Sequence, residues 1–262
     1  MEYFKDFFVF GMKQARSALF AGSFLFLIFA SSYITIPGIH RYDFLFIAAV
    51  IIQVLMLAFK LETIDEAKTI LLFHFIGLVL EIYKTNPAIG SWSYPEPGYL
   101  KIWDVPLYSG FMYASIGSYI AQAWKSFDLK LVRYPKHIYS IVLCSIIYLN
   151  FFTNHFVYDI RLFLIAAIFI LYQKTWVEFT PRSKTYRLPL GLSFVLIAFF
   201  VWIAENVGTF YGAWRYPYQI HAWESVSIQK IISWFLMVII SFIIVAYLKH
   251  VKETLKAKGR LV

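Results

Sequence analysis

The chain has one cysteine, Cys144, in 262 residues. No disulfide can form within it, and a lone thiol inside an apolar run reads as packing. Acids are also scarce: 15 Asp and Glu stand against 24 Lys and Arg, for a net charge of +9. Two of the six histidines never fall three or four residues apart, so no single helix offers paired imidazoles to zinc or di-iron. There is no phosphate-binding G-x-x-x-x-G-K loop, no G-x-G-x-x-G and no G-x-S-x-G nucleophile elbow. No polar connection is long enough to hold a separate soluble domain. No metal and no cofactor are expected.

What the chain has instead is apolar surface. Hydrophobic residues make up 60% and aromatics 21%, which belongs to the polytopic membrane class. A helix needs about 20 apolar residues to cross a bilayer, because lipid offers the backbone no partners. Eight segments qualify as expectations: 17–36, 43–60, 68–84, 105–124, 137–153, 159–173, 188–206 and 227–248. The expected fold is all-α: one integral membrane domain over residues 1–262, with both termini cytoplasmic.

The basic excess follows that topology. With the N-terminus inside, 18 of the 24 Lys and Arg fall on inside segments. Only Arg41, Lys84, Lys101, Arg161, Arg215 and Lys230 fall outside. This is the positive-inside pattern, and it points to anionic lipid rather than nucleic acid. The expected partners are membrane lipids and a hydrophobic small molecule or small solute. The expected location is the cell membrane. The first 16 residues are aromatic and basic and are placed at the inner interface. Lys5, Lys13 and Arg16 before an apolar run imitate a secretory signal, but the first span completes a repeat and is retained. Glu62, Asp65 and Glu66 read as a solvated loop, and the basic stretch 249–260 as a lipid-facing tail.

Two stretches say nearly the same thing. Residues 81–104 and 205–224 each hold a Glu, then Gly-x-Trp-x-Tyr-Pro, then Trp followed by an acid. The counterparts are Glu81 and Glu205, Gly90 and Gly212, Trp92 and Trp214, Tyr94 and Tyr216, and Pro95 and Pro217. Trp103 and Asp104 answer to Trp223 and Glu224. A Tyr-Asp pair followed by Ile-Ala-Ala also occurs twice, at 42–49 and 158–167, with His40 and His155 just before. The reading is a tandem duplication, 1–130 and 131–262. Four helices per unit is even, so the two units are parallel and their axis runs along the membrane normal. The motifs then fall on the outer side.

Glu81 and Glu205 sit in the last turns of their apolar runs. A carboxyl there is costly unless paired, protonated or facing water. Held protonated, it is a proton donor for an alkene or for coupled transport. Asp104 and Glu224 are expected near helix N-termini, where the dipole favours an anion. Two readings stand for them, a helix cap and the ionised partner of the acid. Gly90 and Gly212 shape tight turns, and Pro95 and Pro217 fix the exit. Trp92, Tyr94, Trp103, Trp214, Tyr216 and Trp223 read equally as an interfacial belt and as the wall of a pocket for a polyene, a prenyl chain or a cation. His74 shares a helix face with Glu81. Its counterpart is Ala198, so it reads as a satisfied core histidine, with a proton relay as the minor alternative. Gln53, Asn150 and Asn154 read as helix–helix hydrogen bonds.

On these motifs the whole chain resembles the bacterial integral membrane family that includes Bacillus YoaT, a family that implies no particular activity. Glu81, Gly90, Tyr94 and Val105-Pro106-Leu107 after Asp104 also resemble membrane carotenoid hydratases of the CruF-like type and heterodimeric lycopene cyclases. The second half departs from that pattern with Ser225-Val226-Ser227, and the cyclase-type Pro-x-Glu-Glu is missing. Three functions stay open. The first is an acid–base hydratase, cyclase or isomerase on a polyprenoid, using Glu81 and Glu205. The second is a proton-coupled solute carrier with a parallel repeat. The third is a non-catalytic membrane binding protein.

Overall fold

The structure is a computed structural model that describes residues 2–257. Lys258 and Arg260, part of the expected lipid-facing tail, lie outside the described residues. Among the described residues, α1 (Glu2–Ser17) precedes eight helices that fall on the eight expected segments. These are α2 (Leu19–Ser31), α3 (Arg41–Ala58), α4 (Ile64–Thr85), α5 (Ser109–Ser126), α6 (His137–Thr153), α7 (Arg161–Tyr172), α8 (Leu190–Phe210) and α9 (Lys230–Ala257).

Length and composition separate them. α3, α8 and the stretch Lys230–Lys252 of α9 are long and apolar enough to cross a membrane. A fourth crossing is reached if α1 and α2, bent by 65°, count as one broken span. α6 and α7 are apolar but shorter. At about 1.5 Å per residue, the 12 residues of α7 rise only about 18 Å.

The core is built around α5 and α9, which pack on each other. α5 can be central because small residues line it. A Cβ on Gly117 would stand 2.2 Å from the Phe73 ring, and one on Gly110 would stand 2.6 Å from the His74 carbonyl oxygen. Removing those side chains lets α4 lie directly on α5. α4 itself starts at a capping box, in which Thr63 accepts from the Glu66 amide and Glu66 accepts from the Thr63 amide.

The chain is not purely helical. The hairpin β1 (Lys101–Ile102) and β2 (Val105–Pro106) lies before α5. At the far end of the bundle, β3 (Lys130–Val132), β4 (Trp176–Phe179) and β5 (Tyr186–Pro189) form an antiparallel sheet. Its registers pair Leu131 with Val177 and Val177 with Leu188. α1 lies against this sheet through Phe10, which packs on Phe127 and Phe179, while the Tyr186 hydroxyl donates to Asp6 at 2.7 Å. The opposite face of α1 exposes Tyr3, Phe4, Phe7, Phe8 and Met12.

Three placements differ from expectation. α5 begins at Ser109 and α9 at Lys230, so Asp104 and Glu224 open no helix and cap none. Glu62 is no solvated loop acid: it is 3% exposed and accepts from Gln53 at 2.6 Å and Ser118 at 2.8 Å. Asn150 is buried with neither side-chain polar atom bonded among the described residues, whereas Asn154 accepts from Lys84 at 3.1 Å.

Candidate functional site

The two glutamates are at the centre of matching arrangements. Glu81, 1% exposed, accepts three hydrogen bonds: Trp92 Nε1 and Tyr94 OH to Oε2, and Tyr113 OH to Oε1, each at 2.7 Å. Glu205, 4% exposed, accepts from the Tyr216 hydroxyl on Oε1 and from Trp234 Nε1 on Oε2 at 2.5 Å. Tyr94 and Tyr216 are counterparts in the two motifs. Tyr113 and Trp234 also correspond, since each stands four residues after its helix begins, at Ser109 and Lys230.

The loops that bring these donors home are shaped by the glycines. Gly90 and Gly212 have φ of +58° and +69°, the left-handed region that penalises a Cβ. The backbone can then double back from the end of α4 or α8 onto that helix's own glutamate. Pro217 starts a short 3-10 turn, Pro217–Gln219, and Pro95 stands in an irregular stretch. Burial, reinforced by the facing carboxylates, holds the Tyr94 and Tyr216 phenols well above their usual range. Both therefore remain O–H donors.

The motifs also meet each other. Ser93 and Arg215 form an antiparallel bridge, with amide-to-carbonyl bonds of 2.9 and 3.0 Å. The Trp92 ring lies edge-on to the Tyr216 ring at 6.2 Å. Arg41 ties the assembly down. Its guanidinium donates to Ser31 Oγ, Glu96 Oε1 and the carbonyls of Ile28 and Tyr211 at 2.7–3.1 Å. Asp43 accepts from the Tyr99 and Leu100 amides at 2.9 and 2.7 Å, so it anchors the first loop.

Glu81 and Glu205 line one cavity of about 290 Å³. Trp92, Trp214, Tyr216, Tyr113 and Trp234 share its wall, and so do Lys84, His155, Arg161 and Lys230. Lys230 Nζ sits over the Tyr216 ring at 4.4 Å and the Trp92 ring at 5.4 Å. The aromatic faces that read as a cation site therefore already hold a cation from the chain itself.

Not every expected residue comes in. Asp104 and Trp103 occupy the exposed β1–β2 turn, with Trp103 80% exposed. Glu224 is exposed, and Trp223 donates to Thr209 at 3.2 Å outside the cavity wall. His74 is buried against Phe111 at 4.4 Å, away from the cavity wall. Its Nδ1 has no hydrogen-bond partner among the described residues, so it is a core residue but not a satisfied one. Conversely, Tyr113, Trp234, Lys84, Arg161 and Lys230 were not singled out from the sequence. Extending the motif comparison past Asp104 and Glu224 brings Tyr113 within one position of Trp234, and counting from the two helix starts aligns them.

The chain matches the family model described as "Protein of unknown function (DUF817)" over residues 6–242. It belongs to the DUF817 family. It is 51% identical over 256 residues to the protein described as "Uncharacterized protein YoaT" of Bacillus subtilis (strain 168), covering 96% of this chain and 95% of that one. The DUF817 match spans both copies of the motif. No solved structure matches the chain.

Proposed function

We propose that this DUF817 protein is a multi-pass membrane carrier built from two parallel four-helix repeats. The cavity between the repeats binds a small charged solute, and Glu81 and Glu205 exchange protons with its passage. One observation carries the reading: a carboxylate from each half, held by corresponding donors, lines a single cavity that also presents Lys84 and Lys230.

The packing supports the repeat. A two-fold axis makes an element meet its own counterpart, and makes every other contact occur twice. Ser93 meets its counterpart Arg215, and α5 meets α9. α2 packs on α8 as α6 packs on α4. On this reading the chain runs end to end eight times from α2 to α9. The two motif loops meet each other through Ser93 and Arg215, and α1 meets the three-stranded sheet through Phe10 and Asp6. On this reading the positive-inside pattern of the sequence supports a cytoplasmic sheet and a cavity toward the outer side of the cell membrane.

The hydrogen bonds support proton exchange. A carboxylate accepts only, whereas a carboxylic acid must also donate. Tyr94, Tyr113 and Tyr216 hydroxyls can reverse from donor to acceptor by rotating. A proton gained by either glutamate therefore finds an acceptor already in place. The charged wall favours a polar ligand over a polyene, because an apolar occupant would strip water from Lys84, Lys230 and Arg161 without replacing it.

The test is flux. Proteoliposomes with a trapped pH indicator are offered inorganic phosphate, small carboxylates and zwitterionic amino acids in turn. The carrier reading expects at least one to move protons with wild type and not with the Glu81→Gln, Glu205→Gln double variant. Equal proton movement in both, or none above empty liposomes, refutes it.

The acid–base enzyme on a polyprenoid is kept as a second reading by one feature, the apolar part of the wall at Leu80, Met112, Phe151 and Met237. Lipid mass spectrometry of native extracts distinguishes it. An isoprenoid whose identity changes between wild type and the double variant would favour the enzyme. A ligand that binds but neither moves nor changes would leave a non-catalytic binding protein.

A further inference from the structure

We propose that the cavity contains an oxyanion subsite, formed by Lys84 and Lys230, that takes a phosphate group. The inference rests on the reading of this cavity as a ligand site, and it names the chemistry of the ligand.

The argument is an accounting of donors. An ammonium carries three N–H groups and no acceptor. Lys84, buried at the end of α4, spends two of them, on Asn154 Oδ1 at 3.1 Å and His155 Nε2 at 2.9 Å. It also lies over the Tyr83 ring at 5.7 Å, and its third N–H has no oxygen or nitrogen acceptor among the described residues. Lys230 Nζ has two ring faces and no oxygen or nitrogen acceptor among the described residues. Four N–H groups on two cations therefore belong to one cavity wall without an acceptor.

The nearby acids do not serve them. Glu81 and Glu205 are taken up by Trp and Tyr donors, and neither is within ion-pair distance of a lysine. Asp159 is bound to Arg161 at 2.6 Å, and Arg161 also donates to Ser233 at 3.0 Å. Arg161 is thus neutralised by a carboxylate, whereas neither lysine has one. Lys84 is buried and Lys230 half-buried, and cations withdrawn from water are ordinarily paired. What fits the gap is an anion from outside the chain.

The number of donors selects the anion. Gln229, Ser227 and Ser233 line the same wall. Two ammonium groups with an amide and hydroxyls exceed what two carboxylate oxygens accept, and suit the three or four oxygens of a phosphate. Two positive charges also balance a phosphate dianion. Free phosphate and the phosphate of a lipid headgroup share this chemistry.

Isothermal titration of the full chain in a zwitterionic, phosphate-free detergent separates the sources. One arm uses inorganic phosphate and the other water-soluble dihexanoyl phosphatidic acid. Wild type is expected to bind at least one. Lys84→Gln and Lys230→Gln are each expected to weaken binding by about tenfold or more, while Lys230→Arg retains it. Binding of free phosphate assigns a solute, and binding of the short-chain lipid alone assigns a headgroup. No binding of either ligand to wild type overturns the proposal, and that result needs no variant to fold. Unchanged affinity in both folded Gln variants overturns it as well. Flux of a carboxylate or amino acid without phosphate binding would leave the carrier standing and remove the subsite. Lysine-dependent phosphate binding without any flux would do the reverse.

Discussion

Ser93 and Arg215 exchange two backbone hydrogen bonds although 122 residues separate them. Each is the residue between Trp and Tyr in its own copy of Gly-x-Trp-x-Tyr-Pro. A residue paired with its own counterpart is what the proposed two-fold relation between the halves requires at its axis. This bridge joins the two loops that carry Trp92 and Tyr216 to the cavity.

The bridge is directly testable. Residues that exchange both hydrogen bonds in an antiparallel pair have Cα atoms about 5.5 Å apart, within disulfide range. Ser93→Cys with Arg215→Cys, in a Cys144→Ala background, is expected to form an intramolecular disulfide under mild oxidation. A faster-migrating band on a non-reducing gel, lost on reduction, checks it.

Glu81 is an acceptor whose removal leaves three donors unserved. Each buried unsatisfied group costs about 1–3 kcal/mol, so Glu81→Ala is expected to lose roughly 3 kcal/mol or more. Tyr94→Phe removes one donor and is expected to cost about 1 kcal/mol. In the Glu81→Ala background the same change should cost less, because the partner is already gone. Unfolding of the four proteins in detergent completes the cycle.

Arg41 reaches two carbonyls, a hydroxyl and a carboxylate at once. Lysine keeps the charge but has neither the planar fork nor the reach to serve all four. Arg41→Lys is expected to destabilise nearly as much as Arg41→Met, by about 2–3 kcal/mol. A loss below 0.5 kcal/mol in Arg41→Lys would show that charge alone suffices (roughly the range of an exposed ion pair).

His155 gives a pH signature. Burial, and then the charge of Lys84, lower its basicity from the usual 6.5. Its Nε2 meets the Lys84 ammonium at 2.9 Å, which requires the neutral, accepting ring. The unfolded chain therefore binds a proton more readily than the folded one, and stability rises with pH in that range. The contribution is complete above about pH 6.5 and is lost as pH falls below it. Melting temperatures between pH 7 and pH 5 should fall more steeply in wild type than in His155→Gln.

The sequence made part of this arrangement legible. Helices fall on all eight apolar segments, because long apolar runs leave the backbone few alternatives. The positive φ of Gly90 and Gly212 was readable from glycine at a fixed place in both motifs. Tyr113 and Trp234 were not readable as donors, since they arrive from the next helix and local spacing does not encode that contact. Asp104 and Glu224 misled for a related reason. Apolar residues just after them resembled helix starts, yet Val105-Pro106 forms a strand and Val226 precedes α9 by four residues. The three-stranded sheet was hidden in connections read only for charge, although Trp176-Val177-Glu178-Phe179 holds the aromatic and β-branched residues that favour strands. Lys230 was counted as an outside charge, and its seat on Trp92 and Tyr216 emerges only when the two loops meet.

The most direct test of the central claim is proton movement in proteoliposomes, comparing wild type with the Glu81→Gln, Glu205→Gln double variant. The account predicts that at least one small charged solute shifts the internal pH with wild type, and that the shift disappears in a folded double variant. A folded double variant that shifts the pH as wild type does would contradict it.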